Sequence, residues 1–176
     1  RHMGNVMAGA VLQVFDKVNY RDVDTIRYAY KVSELPSNMP KPEDMPLAHK
    51  YNDLHKAGRD DLIPFEAMEL TTVVAEAGRM IRLEHGPEFF PLRLSAFAIG
   101  NVAMLGEPFN GVGVGIKQAE GWDLVLPSCT TNGGEGYFPM QDSYDEGGYE
   151  AKSSRYKAGT AELIIEESKK LLDTLH

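Results

Sequence analysis

Two short stretches concentrate the residue types that hold metals and stabilise developing charge. The first is Gly106-Glu107-Pro108-Phe109, directly after an apolar alternating segment. A carboxylate at a strand end is a common place for a ligand or a base, and the glycine beside it lets other backbone come close. The plain alternative for Glu107 is a solvated turn residue. The second stretch is Asn132-Gly133-Gly134-Glu135-Gly136-Tyr137-Phe138-Pro139, with Tyr144 and Tyr149 beyond it. A tyrosine hydroxyl can donate to an oxyanion, and its phenolate can bind a metal if a cation lowers its pKa from about 10. The plain alternative is that these tyrosines pack with their hydroxyls at the surface.

Other chemistries find little support. His49 and His55 stand six apart, whereas helical metal pairs use spacings of about three or four, so both read as solvated surface residues. His85, beside a helix end, reads at most as a C-terminal cap. Gly111-Val112-Gly113-Val114-Gly115 matches neither the dinucleotide fingerprint nor the P-loop, and no G-x-S-x-G elbow is present. Cys129 is the single cysteine. It excludes an intrachain disulfide and a cysteine-rich zinc site, and after an apolar strand it is expected to be buried packing. The formal net charge of -8 and a pI near 5.1 argue against nucleic acid or an anionic membrane surface as the main partner.

The elements that must position these residues follow from periodicity. The chain has 176 residues, 43% hydrophobic and 25% charged, which suits one domain. Arg1-His2-Met3 resembles a cloning remnant, leaving residues 4–176 as a single domain. Val6, Met7, Ala10, Val11, Val14 and Val18 mark an amphipathic helix. An abrupt start on a helix, without a secretory signal, predicts a piece of a longer protein. Ile26, Tyr28, Tyr30 and Val32 alternate with Arg27, Ala29 and Lys31, predicting a strand with one buried face. Ser33 to Asp61 is polar and proline-rich, with a short helix around Leu47–Leu54, and a further helix spans Phe65 to Ile81. Leu92–Ile99 and Val102–Leu105 pair across a tight turn at Gly100-Asn101. The Gly111–Gly115 segment suits a weak helix, and Trp122, Leu124 and Leu126 mark another strand. Ser128–Lys157 reads as a long polar loop of the functional kind, and a last helix runs from Thr160 to Leu175. The fold class is mixed α/β: a sheet with a central hairpin flanked by helices. No apolar run reaches the roughly 18 residues of a membrane span.

Three loop features in this order are more specific than any one. Gly106-Glu107-Pro108-Phe109 follows the hairpin, Asn132 stands five residues before Tyr137, and Tyr149-Glu150 lies twelve residues after it inside Gly147-Gly148-Tyr149-Glu150. With the Ala158-Gly159 start of the closing helix and Val32-Ser33-Glu34-Leu35-Pro36 upstream, the chain resembles the C-terminal part of the catalytic domain of the neutral/alkaline non-lysosomal ceramidase family. The resemblance is strongest from Leu94 to Leu175.

That resemblance implies a hydrolase of linear amides that cleaves the N-acyl bond of ceramide-like lipids with Zn2+. It implies Glu107 and Tyr137 as zinc ligands and Tyr149 as an oxyanion donor, with Asn132 ordering the loop. Family zinc sites add two histidines from the N-terminal half, together with a serine and an arginine region. None of these is found here, and the ligand role is not carried to His49 or His55. The chain alone is therefore expected to be inactive, with its partners being the missing N-terminal half and an N-acyl substrate, and with possible self-association through an exposed face. Family members are often secreted or surface-associated. The rival reading is a degenerate, non-catalytic module that binds a lipid, a glycan or a protein. Trp122 and Phe138 are expected in the core rather than in an acyl channel.

Overall fold

A computed structural model of the chain describes residues 1–106, 110–131 and 133–176, with the side chains of residues 110 and 111 left aside. The elements in chain order are α1 (His2–Phe15), β1 (Ile26–Pro36), α2 (Met45–Lys56), α3 (Ala67–Leu83), β2 (Phe89–Ile99), β3 (Val102–Gly106), α4 (Asn110–Ile116), β4 (Leu124–Ser128), α5 (Gln141–Glu146), α6 (Tyr149–Ser153) and α7 (Thr160–Asp173). The expected mixed α/β class is what is found.

The strands lie in the order β1-β2-β3-β4. The first two pairings are antiparallel and β3–β4 is parallel. The β2–β3 hairpin turns where the sequence placed it, with Gly100 at φ 58°, a conformation glycine adopts without Cβ strain. Parallel pairing requires a crossover, and glycine-rich α4 supplies it. A Cβ on Gly115 would lie 2.5 Å from Ile165 Cδ1, so the missing side chain is what lets α4 seat against α7.

One face of the sheet carries Leu92, Leu94, Ala96, Ala98, Ala103, Leu105 and Val125, all buried, under Val112 and Ile116 of α4 and Ile164, Leu171 and Leu172 of α7. Small alanines on the strands leave room for the helices, and the branched chains fill the remainder. A second, smaller core joins α2 to α3 through Met45, Ala48 and Ala77.

The other face departs from expectation. Ile26, Tyr28, Tyr30 and Val32 are the exposed side of β1 and continue into Phe97, Ile99, Met104, Leu124 and Leu126, each at least 41% exposed. The inward side of β1 is the polar one: Lys31 Nζ lies 2.5 Å from Glu167 of α7, and Ser33 donates to the same carboxylate at 2.8 Å. An edge strand against a helix can satisfy polar groups in this way, so the alternation was real but its buried side was inverted. No residue of α1 is buried either. The segment expected as one long loop, Ser128–Lys157, contains α5 and α6. No helix among the described residues is long and apolar enough to cross a membrane.

Candidate functional site

Tyr137 follows Gly136, whose φ of 92° turns the loop after β4 in a way that L side chains disfavour. Tyr149 opens α6 directly after Gly147-Gly148, where Gly147 ends α5 in the left-handed region. The two rings meet edge to face, with centroids 6.1 Å apart and planes at 82°. Together they line a cleft of about 630 Å3 that is also lined by His55 of α2 and by Gly78 and Arg82 of α3.

A hydrogen-bond network fixes that geometry. Arg79 is 4% exposed. Its Nε donates to the Lys152 carbonyl at 2.8 Å and its Nη1 to the Asn38 carbonyl at 2.6 Å. One guanidinium thus clamps α6 and the segment just after β1 onto α3, and the planar fork suits two acceptors at once. Burial pulls the Arg79 pKa down, partly offset by Glu76. Asn38 donates to the Ser154 carbonyl at 3.3 Å, and the Ser154 hydroxyl donates to the Tyr137 carbonyl at 2.7 Å. The network therefore runs from a buried arginine to the Tyr137 carbonyl on one side and to Lys152, in the helix that Tyr149 opens, on the other.

The loop is also anchored from below. Phe138 is buried and stacks on Tyr156 at 4.2 Å, in the core position expected of it. Burial pushes the Tyr156 phenol up to about 12, so it remains a donor, and it reaches Glu135 Oε2 at 3.4 Å. Arg155 pairs with the same carboxylate and lies over the Phe90 ring at 4.6 Å. Tyr144 is not a site residue: its hydroxyl donates to the Tyr156 carbonyl at 2.6 Å, and burial raises its pKa.

Glu107 and Asn132 lie outside the described residues. Their flanks are close: a Cβ on Gly106 would fall 2.5 Å from Thr131 Cγ2, and Gly106 pairs in register with Ser128. The chain thus leaves β3 and the turn after β4 from adjoining points. Thr130, in that turn, holds φ 51°, an unfavourable value for a β-branched residue.

Of the histidines, His49 sits 3.1 Å from Glu84, an exposed contact. His55 is different. Its Nδ1 lies 2.9 Å from Asp60, and it lines the tyrosine cleft. Sequence spacing missed it because its relation to Tyr137 arises from the docking of α2 and α3, not from any short motif. Cys129 is exposed, contrary to the expectation of a buried packing residue, because β4 ends at Ser128 and the chain turns outward there. Trp122 packs partly buried against the core.

As a metal centre, the cleft brings together His55, Glu135, Tyr137 and Tyr149 as side chains with ligand atoms. Tyr137 is 46% exposed, and no hydrogen bond holds its hydroxyl among the described residues. No group of three or more His, Cys, Asp and Glu side chains gathers among them. With His55 and Glu135 already paired, the cleft by itself falls short of the three or four protein ligands of a usual zinc site.

No protein-family model matches the chain, and no curated protein matches it. Among solved structures, the fold is similar to part of the neutral ceramidase from Pseudomonas aeruginosa. That match has 17% identity and a TM-score of 0.52, and it covers 86% of this chain and 28% of that one. A ceramidase complexed with C2 matches at 23% identity and a TM-score of 0.43, covering 51% of this chain and 15% of that one. The chain thus spans under a third of the length of either protein. It has a ceramidase-like fold.

Proposed function

We propose that this chain is one part of a zinc-dependent hydrolase of linear amides that cleaves the N-acyl bond of ceramide-like lipids, and that the Tyr137–Tyr149 cleft is its share of the active site. The observation that carries the reading is the meeting of those two tyrosines, twelve residues apart in sequence, in one cleft of a ceramidase-like fold. On this reading Tyr137 and Glu107 would hold zinc, together with histidines from the rest of the protein. Bound there, zinc would supply Lewis-acid polarisation and an acidified water. Tyr149 donates its hydroxyl hydrogen to the oxyanion as the amide carbonyl becomes tetrahedral, a preorganised interaction stronger in the transition state than in the ground state. The glycines of the Gly133–Gly136 loop would let the backbone pass close to metal and substrate, and Asn132 would order that loop. Ser154 holds the Tyr137 carbonyl, and Arg79 holds α6, the helix that Tyr149 opens.

The test is hydrolysis of a fluorogenic N-acyl sphingoid by the natural protein that carries this sequence. Tyr149→Phe should lower kcat by about 10²–10³-fold, the usual cost of one oxyanion donor, with KM little changed. An unchanged kcat would remove Tyr149 from the chemistry. Absence of N-acyl hydrolysis in the parent protein would overturn the hydrolase reading.

A further inference from the structure

The charges lining the cleft do not match those of the whole chain. The protein carries 26 acidic and 18 basic side chains, yet the cleft is lined by Arg82, Arg155 and His55 against one carboxylate, Glu135. That carboxylate is taken by Arg155. Some carboxylates nearby are paired as well: Glu76 with Arg79 and Lys152, Glu84 with His49, Asp60 with His55 and Asp61 with Arg59. Arg82 is exposed and makes no ion pair or hydrogen bond among the described residues. Its Nη1 lies back along α3, 3.3 Å from where a Gly78 Cβ would stand. Gly78 therefore makes the space that keeps this guanidinium on the cleft wall.

The Gly134–Gly136 loop lines the same cleft. The amides of Gly134, Glu135 and Gly136 have no backbone partner among the described residues, and all three residues line the cleft. A glycine-rich loop whose amides have no backbone partner among the described residues and a guanidinium with no ion pair among them line one cleft, and backbone amides together with a cation suit an oxyanion.

We propose that this cleft binds an oxyanion, a carboxylate or a phosphate ester, between Arg82 and the amides of the Gly134–Gly136 loop. The site shares the cleft with Tyr137 and Tyr149 but uses neither hydroxyl. Where the hydrolase reading also holds, the preferred substrate carries an acidic group besides its N-acyl amide.

The experiment is an amide-resolved NMR titration of the 176-residue chain in zinc-free buffer. The probes are inorganic phosphate, N-acetylglycine and its neutral counterpart N-acetylglycinamide. The expected result is saturable movement of the Gly134 and Gly136 amide signals with at least one anion. Binding should weaken about tenfold in Arg82→Gln and partly recover in Arg82→Lys. Tighter binding of phosphate assigns a phosphate ester, and tighter binding of N-acetylglycine assigns a carboxylate. Absence of saturable binding by both anions would overturn the proposal. So would undiminished affinity in Arg82→Gln, whose exposed position makes misfolding an unneeded explanation, or equal binding of the neutral amide. Because zinc and Tyr149 are not involved, failure here leaves the hydrolase reading standing, and failure of that reading leaves this one.

Discussion

Replacing Arg79 by Met should loosen α6 before it unfolds the domain. The native side chain is 4% exposed and makes two charge-assisted bonds, at 2.8 and 2.6 Å, to carbonyls of Lys152 and Asn38. Bonds of this type contribute about 1.5–3 kcal/mol each. Burying the guanidinium costs part of that, as its lowered pKa shows, and Met fills much of the same space. The carbonyls it abandons are left in a partly dry interface, which adds to the loss. The net expectation is about 3 kcal/mol, equivalent to about 6–12 °C in Tm for a domain of this size. Arg79→Lys should lose nearly as much, since an ammonium cannot span two carbonyls as a planar fork does. Urea unfolding followed by circular dichroism gives the stability, and amide hydrogen exchange gives the location, with protection falling first across residues 149–153. A loss under about 1 kcal/mol, or unchanged exchange in α6, would refute the view that Arg79 sets the position of Tyr149.

Gly115→Ala should cost about 1–3 kcal/mol by overpacking, because the new methyl meets Ile165 at 2.5 Å; Ile165→Val in the same chain should recover part of that in urea unfolding. Lys31, Ser33 and Lys170 hold the Glu167 carboxyl down at about 2, against an ordinary value near 4.5. A lowered carboxylate pKa gives stability that is complete above the unfolded value and lost as pH falls from about 4.5 toward about 2. Midpoints for Glu167→Gln should therefore vary less with pH across that window than those of the parent, and parallel curves would contradict the pairing. The bare sheet face should promote self-association: sedimentation of Phe97→Ser with Ile99→Ser should show less of it, and a monomeric parent at high concentration would contradict this.

Much of the architecture was legible because local and global signals agree. Strict alternation from Leu92 to Leu105 and a Gly100-Asn101 turn specify the hairpin, and the glycines of α4 mark a close helix contact. What escaped is tertiary in origin. The helices α5 and α6 are short, and α6 is held by Arg79, which comes from a helix about seventy residues earlier; nothing local in Tyr149–Ser153 announces it. The apolar side of β1 was readable, but its orientation depended on Glu167 of α7 capturing Lys31 and Ser33. Within the site, the Tyr137–Tyr149 spacing was legible from the family resemblance. His55 and Arg82 entered the cleft only through packing of α2 and α3, and Glu107 and Asn132 lie outside the described residues.

The central claim, that Tyr137 holds zinc while Tyr149 serves the oxyanion, is tested most directly by zinc content. The natural protein carrying this sequence, and its Tyr137→Phe and Tyr149→Phe variants, would be dialysed against buffered zinc and measured by elemental analysis. The account predicts about one equivalent in the parent and in Tyr149→Phe, with a large loss in Tyr137→Phe, since a phenyl ring offers no ligand atom. Full zinc occupancy in Tyr137→Phe, or equal loss in both variants, would contradict it.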